Sequence, residues 1–164
     1  MCPSRPPHAR RDGRTGRVRP GAACRERSDG HYSDARLTSA DLRRADLTGI
    51  WLAGAALINA NLYQADLRTA VLWHARLDGA DLSATDLSGA DLTGAVVKGA
   101  RFELADLRGA DLTGTDLDTT TLTGAVGDAT TIWPAGFDAA AAGLVMARRD
   151  TPPLHPQSFH DLSR

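Results

Sequence analysis

The chain has 164 residues, with 19 Lys and Arg against 20 Asp and Glu and only 5% aromatic side chains. That size suits one small domain with an aliphatic interior, and no apolar stretch approaches the roughly 20 residues of a membrane-spanning helix. Near-neutrality hides an uneven distribution: residues 1–32 hold eight Arg against three acids, residues 33–126 hold thirteen acids against eight bases, and the remainder holds four acids and three Arg.

Residues 1–32 are rich in Arg, Pro and Gly without apolar periodicity, which predicts a disordered arm. Such an arm can neutralise phosphates without sequence preference, or serve only as a solvated extension. It lacks the interleaved aromatics that would stack on bases. The Arg10-Arg11 pair is followed by no apolar segment, so export through a twin-arginine signal is not expected. Cys2 and Cys24 show no metal-ligand spacing, and a reducing cytoplasm is the simplest compartment.

From Leu37 to Leu122 every fifth residue is Leu except Val97 and Phe102, which makes eighteen units in unbroken phase. The residue two before each is mostly Ala, with Ile50, Thr85, Thr115 and Thr120 as departures. A period of five fits neither a helix nor a strand. A short extended piece followed by a tight turn does fit: the large residue and the small one two before it point inward, and the other three face outward. Gly recurs two residues after the central Leu, where a type II turn needs positive φ. Where Ser, Thr or Gln stands there, a type I turn is the local expectation. Four such sides close a coil of twenty residues, and at strand spacing eighteen units make a rod ~22 Å long.

Units such as Ala45-Asp46-Leu47-Thr48-Gly49 and Ala110-Asp111-Leu112-Thr113-Gly114 resemble the pentapeptide-repeat family over about residues 33–126. The resemblance implies an all-β fold, a right-handed quadrilateral β-helix of about four and a half coils, with function much less fixed than fold. Thr131-Ile132-Trp133-Pro134-Ala135-Gly136-Phe137-Asp138 resembles a tail that follows the last coil in many bacterial members.

After Gly127 the period is lost. Residues 127–150 read as a cap containing a short helix over 138–149, with Asp138 as N-cap and Arg148 and Arg149 at its negative end. Trp133, Phe137, Leu144 and Met146 are the candidate lid on the open last coil, or the contact surface of a homodimer formed through that end. Pro152, Pro153 and Pro156 mark residues 151–164 as a flexible tail.

Sorting the outward residues by a period of twenty produces two candidate surfaces. Asp46, Asp66, Asp86 and Asp106 fall in one column, with Asp91 and Asp111 on the adjoining side. Like charges about 5 Å apart repel by roughly 1 kcal/mol even in water. The carboxylates therefore either bond the turn backbone, with Arg68 and Arg108 as screens, or form an acidic wall that imitates the phosphates of duplex DNA. The resemblance gives the second option a target, because some family members block DNA gyrase or protect it from quinolone-type poisons. This rod is short beside theirs. The second surface is apolar: Trp51, Val71 and Trp73 on one side with Tyr63 around a corner, placed either for a partner protein or for packing by the arm.

Catalysis is not expected. The stacked carboxylates stand on a flat wall without a water-excluding pocket, and the column mates of His74, Gly54, Gly94 and Gly114, offer no base or nucleophile. No phosphate-binding loop, zinc ligand cluster or Ser-His-Asp arrangement is present, and no cofactor is implied. The expected function is a protein-binding rod, with a gyrase-directed DNA mimic and nucleic-acid binding by the arm as the alternatives.

Overall fold

The computed structural model describes residues 32–147 together with the backbone of β1 (Arg10–Arg11) and β2 (Val18–Arg19), which pair antiparallel. The rest of the expected arm before Tyr32, Cys2 and Cys24 with it, and the tail over 151–164 lie outside the described residues.

Parallel bridges join residues twenty apart, from Arg36 with Ala56 through Asp46 with Asp66 and Trp51 with Val71 to Asp106 with Val126. Four five-residue units therefore make one coil, as the period predicts. The first side stacks the units centred on Leu37, Leu57, Leu77, Val97 and Leu117, and the second those on Leu42, Leu62, Leu82, Phe102 and Leu122. Leu47, Leu67, Leu87 and Leu107 centre the third side, and Leu52, Leu72, Leu92 and Leu112 the fourth.

Each unit closes with a hydrogen-bonded β-turn, in which the small residue donates to the carbonyl of the preceding central residue, as Ala40 N does to Leu37 O at 3.0 Å. The third turn residue has positive φ in nearly every unit, and this holds for Ser39 (54°), Gln64 (57°) and Thr69 (54°) as well as for the glycines. The type I turns expected at Ser, Thr and Gln are therefore absent at these positions. The cause is the neighbouring coil. In the positive-φ turn the third N–H points along the rod and donates to the next coil, as in Ser39 N to Ile58 O at 2.8 Å and Thr69 N to Ser88 O at 3.0 Å. That bond outweighs the ~1 kcal/mol cost of left-handed backbone at a residue with a side chain.

Inside, the central residues from Leu57 to Leu112 are fully buried, Phe102 among them. Each such Leu contributes roughly 1.5 to 3 kcal/mol relative to exposure. Thr replaces Ala in the wall without leaving an orphan hydroxyl: Thr85 Oγ1 donates to Leu62 O at 2.8 Å and Thr115 Oγ1 to Leu112 O at 2.8 Å.

The C-terminal end departs from the expectation in two ways. First, the repeat does not stop at Gly127. It slips by one residue and resumes, so that Ile132 bridges Asp111 and Ile132 N donates to Ala110 O. Asp128 stabilises the slip by accepting from Thr130 N (2.8 Å), Thr131 N (3.1 Å) and Gly109 N (3.3 Å) through one oxygen. Gly127 stands where a Leu is due, and a Cβ there would lie 2.5 Å from the Trp133 ring. The indole fills the place of the missing side chain. Second, no helix forms over 138–149 within the described residues. Asp138 does accept from Ala140 N and Ala141 N, and Ala142 N donates to Asp138 O, but this is a single turn. Gly143, at φ 77°, ends it. The chain then runs as β4 (Val145–Met146) along β3 (Val126–Gly127) in parallel register, because an unpaired strand edge offers Val145 and Met146 more than a lone helical turn does.

Candidate interaction surfaces

The third side carries the acidic column. Asp46, Asp66, Asp86 and Asp106 are bridged in sequence, and Asp91 with Asp111 on the fourth side, so the expected stacking holds. Each of these six carboxylates accepts from the backbone N–H two residues on, for example Thr48 N to Asp46 at 3.2 Å and Thr93 N to Asp91 at 2.9 Å. Asp fits the position because its short side chain reaches this N–H, a local Asx turn.

Two cations answer this column. Arg68 Nη2 lies 2.6 Å from Asp66 and its Nε 3.9 Å from Asp86, while Arg108 clamps Asp106 through Nε at 2.9 Å and through Nη2. Burial opposes ionisation of Asp66, but the Arg68 hydrogen bonds and charge prevail and hold its carboxyl below the usual range. The hydrogen bond to Asp106 likewise raises the Arg108 guanidinium. Asp106 is only 4% exposed. The column presents four carboxylates and two guanidinium groups, with its uppermost acid withdrawn from the surface.

The fourth side differs. Trp51 and Val71 stack by a parallel bridge, and Trp73 stands two residues from Val71 on the same side. Trp73 is 48% exposed and Trp51 38%. The Trp73 ring leans on His74, with centroids 4.6 Å apart at 46°, and His74 Nδ1 lies 3.2 Å from Gly94 O. A Cβ on Gly94 would sit 2.5 Å from that imidazole, so Gly94 leaves the space His74 occupies. Tyr63 does not join this patch. It is ten residues from Trp73, half of a twenty-residue coil, and so projects from the second side, opposite the fourth.

The candidate cap residues divide. Trp133, Phe137 and Leu144 are partly buried against the core, with the Trp133 and Phe137 rings 5.4 Å apart. Met146 is instead 48% exposed beside Val145 at 53%. Sequence reading missed Val145 and Ile132 as exposed apolar positions, since only the slip in register turns Ile132 outward. Among the described residues no group of His, Cys, Asp and Glu could hold a metal ion, and no helix is long and apolar enough to cross a membrane.

A rod of stacked four-sided coils, closed inside by aliphatic side chains, is a solenoid whose walls carry whatever contacts it makes. The chain belongs to the pentapeptide repeat family, whose fold is a right-handed quadrilateral β-helix. The family model for pentapeptide repeats matches eight copies over residues 52–83 and 85–124. The pentapeptide repeat protein alr5209 from Nostoc Pcc 7120 is 38% identical, with 64% of this chain and 86% of that one covered and a TM-score of 0.62. The pentapeptide repeat protein Rfr23 from the cyanobacterium Cyanothece 51142 is 33% identical over 62% of this chain and 89% of its own, at a TM-score of 0.33. QnrB1, a plasmid-mediated fluoroquinolone resistance protein, is 21% identical over 70% of this chain and 61% of its own, at a TM-score of 0.37. Among curated proteins there is no match. Family membership rests on the repeat match and the Nostoc protein.

Proposed function

We propose that the protein is a non-catalytic, cytoplasmic binding rod that docks another protein against its fourth side. The observation that carries this reading is the placement of Trp51, Val71 and Trp73 on one flat wall with both indoles partly in solvent. Trp is enriched at the energetic centre of protein interfaces, and the core beneath these rings is already filled by Leu52 and Leu72. Trp73→Ala and Trp51→Ala should weaken the partner about tenfold or more, as interface anchors do, and leave the thermal transition unchanged. Equal loss of stability would overturn the reading in favour of packing within the chain.

A second reading, mimicry of DNA toward gyrase, draws on the bridged column Asp46, Asp66, Asp86 and Asp106. The Asx turns and the two Arg clamps supply a structural reason for those carboxylates, so the fourth side is preferred. Supercoiling by DNA gyrase, assayed with the native chain and with the four Asp changed to Asn, separates the two. Inhibition by the native chain that vanishes in the variant would replace the first reading with the second. For self-association through the C-terminal end, the exposed Val145 and Met146 are the contact residues in place of Trp133, Phe137 and Leu144.

A further inference from the structure

A cleft of about 370 Å³ opens at the C-terminal end, lined by Leu117, Leu122, Phe137 and Ala142 with Asp118 and Asp138 at its rim. It exists because residues 136–142 cross above the first and second sides without pairing to them. Along the rod the central N–H groups donate to the next coil, as Phe102 N does to Thr121 O, Leu107 N to Val126 O and Leu112 N to Ile132 O, with Val97 N beneath the Leu117 unit as the exception among the described residues. Leu117 N and Leu122 N, both in residues only 4% exposed, meet no acceptor among the described residues. The unit at Leu117 also stands off the coil below. Asp116 makes no bridge to Val96, and Gly99 N donates to the Thr119 hydroxyl at 3.0 Å instead of to a backbone carbonyl. Asp116, Asp118 and Asp138 are exposed and form no ion pair among the described residues.

We propose that this cleft is a docking slot for an extended, arginine-bearing peptide segment of a partner protein, added as a further strand along Leu117 and Leu122. The two N–H groups receive peptide carbonyls, as the lower coils receive them from the chain itself, which is the physics of strand addition at a sheet edge. The Leu117, Leu122 and Phe137 side chains form an apolar floor, and the rim carboxylates of Asp118 and Asp138 select a guanidinium. A segment that meets both N–H groups turns the corner between the two sides, so it carries Gly or another residue tolerant of positive φ. This surface is separate from the Trp51 and Trp73 wall.

The test is amide NMR of the full chain titrated with the peptide Arg-Ala-Gly-Arg-Ala-Gly, beside the same peptide with Glu for Arg. Saturable shifts at Leu117 and Leu122 with the Arg peptide alone are expected. They should weaken about tenfold in Asp118→Asn/Asp138→Asn, the fold-change typical of losing a charged rim contact plus a charge-assisted bond. Asn at 138 keeps the acceptor for Ala140 N and Ala141 N, so the fold should be preserved, and an unchanged melt checks this. No shift at about 1 mM peptide, the weak end of specific binding, or equal binding of the Glu peptide, would overturn the proposal. So would amides of Leu117 and Leu122 already protected in the free chain and released by high salt, because the slot would then hold a segment of the chain itself.

Discussion

The third and fourth sides are made from the same five-residue unit, share one core and hold stacked outward columns, yet they spend those columns differently. On the third side the outward carboxylates face inward in chemical terms: each bonds the turn that carries it, and Arg68 and Arg108 answer Asp66 and Asp106. On the fourth side the lower outward positions hold Trp51, Val71 and Trp73, which carry no carboxylate to bond the turn N–H. Regularity alone is therefore a poor guide to function in a solenoid. A column repeated because every turn needs it is explained by the fold, and a column that breaks the pattern asks for a contact.

Four perturbations break or sharpen this comparison. The largest treats the two sides alike: Leu87→Lys and Leu92→Lys each bury a charge in the shared core and should cost on the order of 4 kcal/mol or more, eliminating cooperative melting. The next divides the third side. Arg108→Ala strands the buried Asp106 carboxylate and should lower stability by about 3 kcal/mol, whereas Arg68→Ala, at a half-exposed pair, should cost below about 1 kcal/mol. Urea midpoints of the two variants measure the gap, and equal losses would contradict the burial difference between Asp106 and Asp66. On the fourth side Gly94→Ala meets the His74 ring and a positive φ together. It should cost about 1–2 kcal/mol, with part recovered in Gly94→Ala/His74→Ala, because the ring contact disappears while both residues keep a Cβ at positive φ. The smallest effect is a pH dependence. The folded carboxyl of Asp66 is held below its unfolded value, so its contribution is present above the unfolded pKa and is lost as pH falls through the folded one. Thermal melts at descending acid pH should show a smaller loss in Asp66→Asn than in the native chain.

Much of this was legible in the sequence. The phase of Leu37 to Leu122 sets the twenty-residue coil, and from it the columns of Asp46 and Trp51 follow by counting. Counting would also have placed Tyr63 on the opposite side and not around a corner from Trp73, since ten residues is half a coil. The turn type was not legible at Ser39, Gln64 and Thr69, because local preference there is overruled by a hydrogen bond to a coil twenty residues away. Nor was the resumption of the repeat at Ile132. Its signal is the pairing of Gly127 with Trp133, one residue too small and one too large, and only the packed core shows that each explains the other. The Ala-rich run after Asp138 has helical propensity and a sound N-cap, but Gly143 and a free strand edge limit it to one turn.

The most direct test of the account places a photo-crosslinking side chain at Thr93, above Trp73 on the fourth side, or at Ser88 on the third, and compares adducts formed in cell extract at low and at high salt. The account predicts a discrete protein adduct from Thr93 that is lost in Trp73→Ala, and none from Ser88. A discrete adduct from Ser88 alone, abolished by salt, would contradict it and identify the acidic column as the working surface.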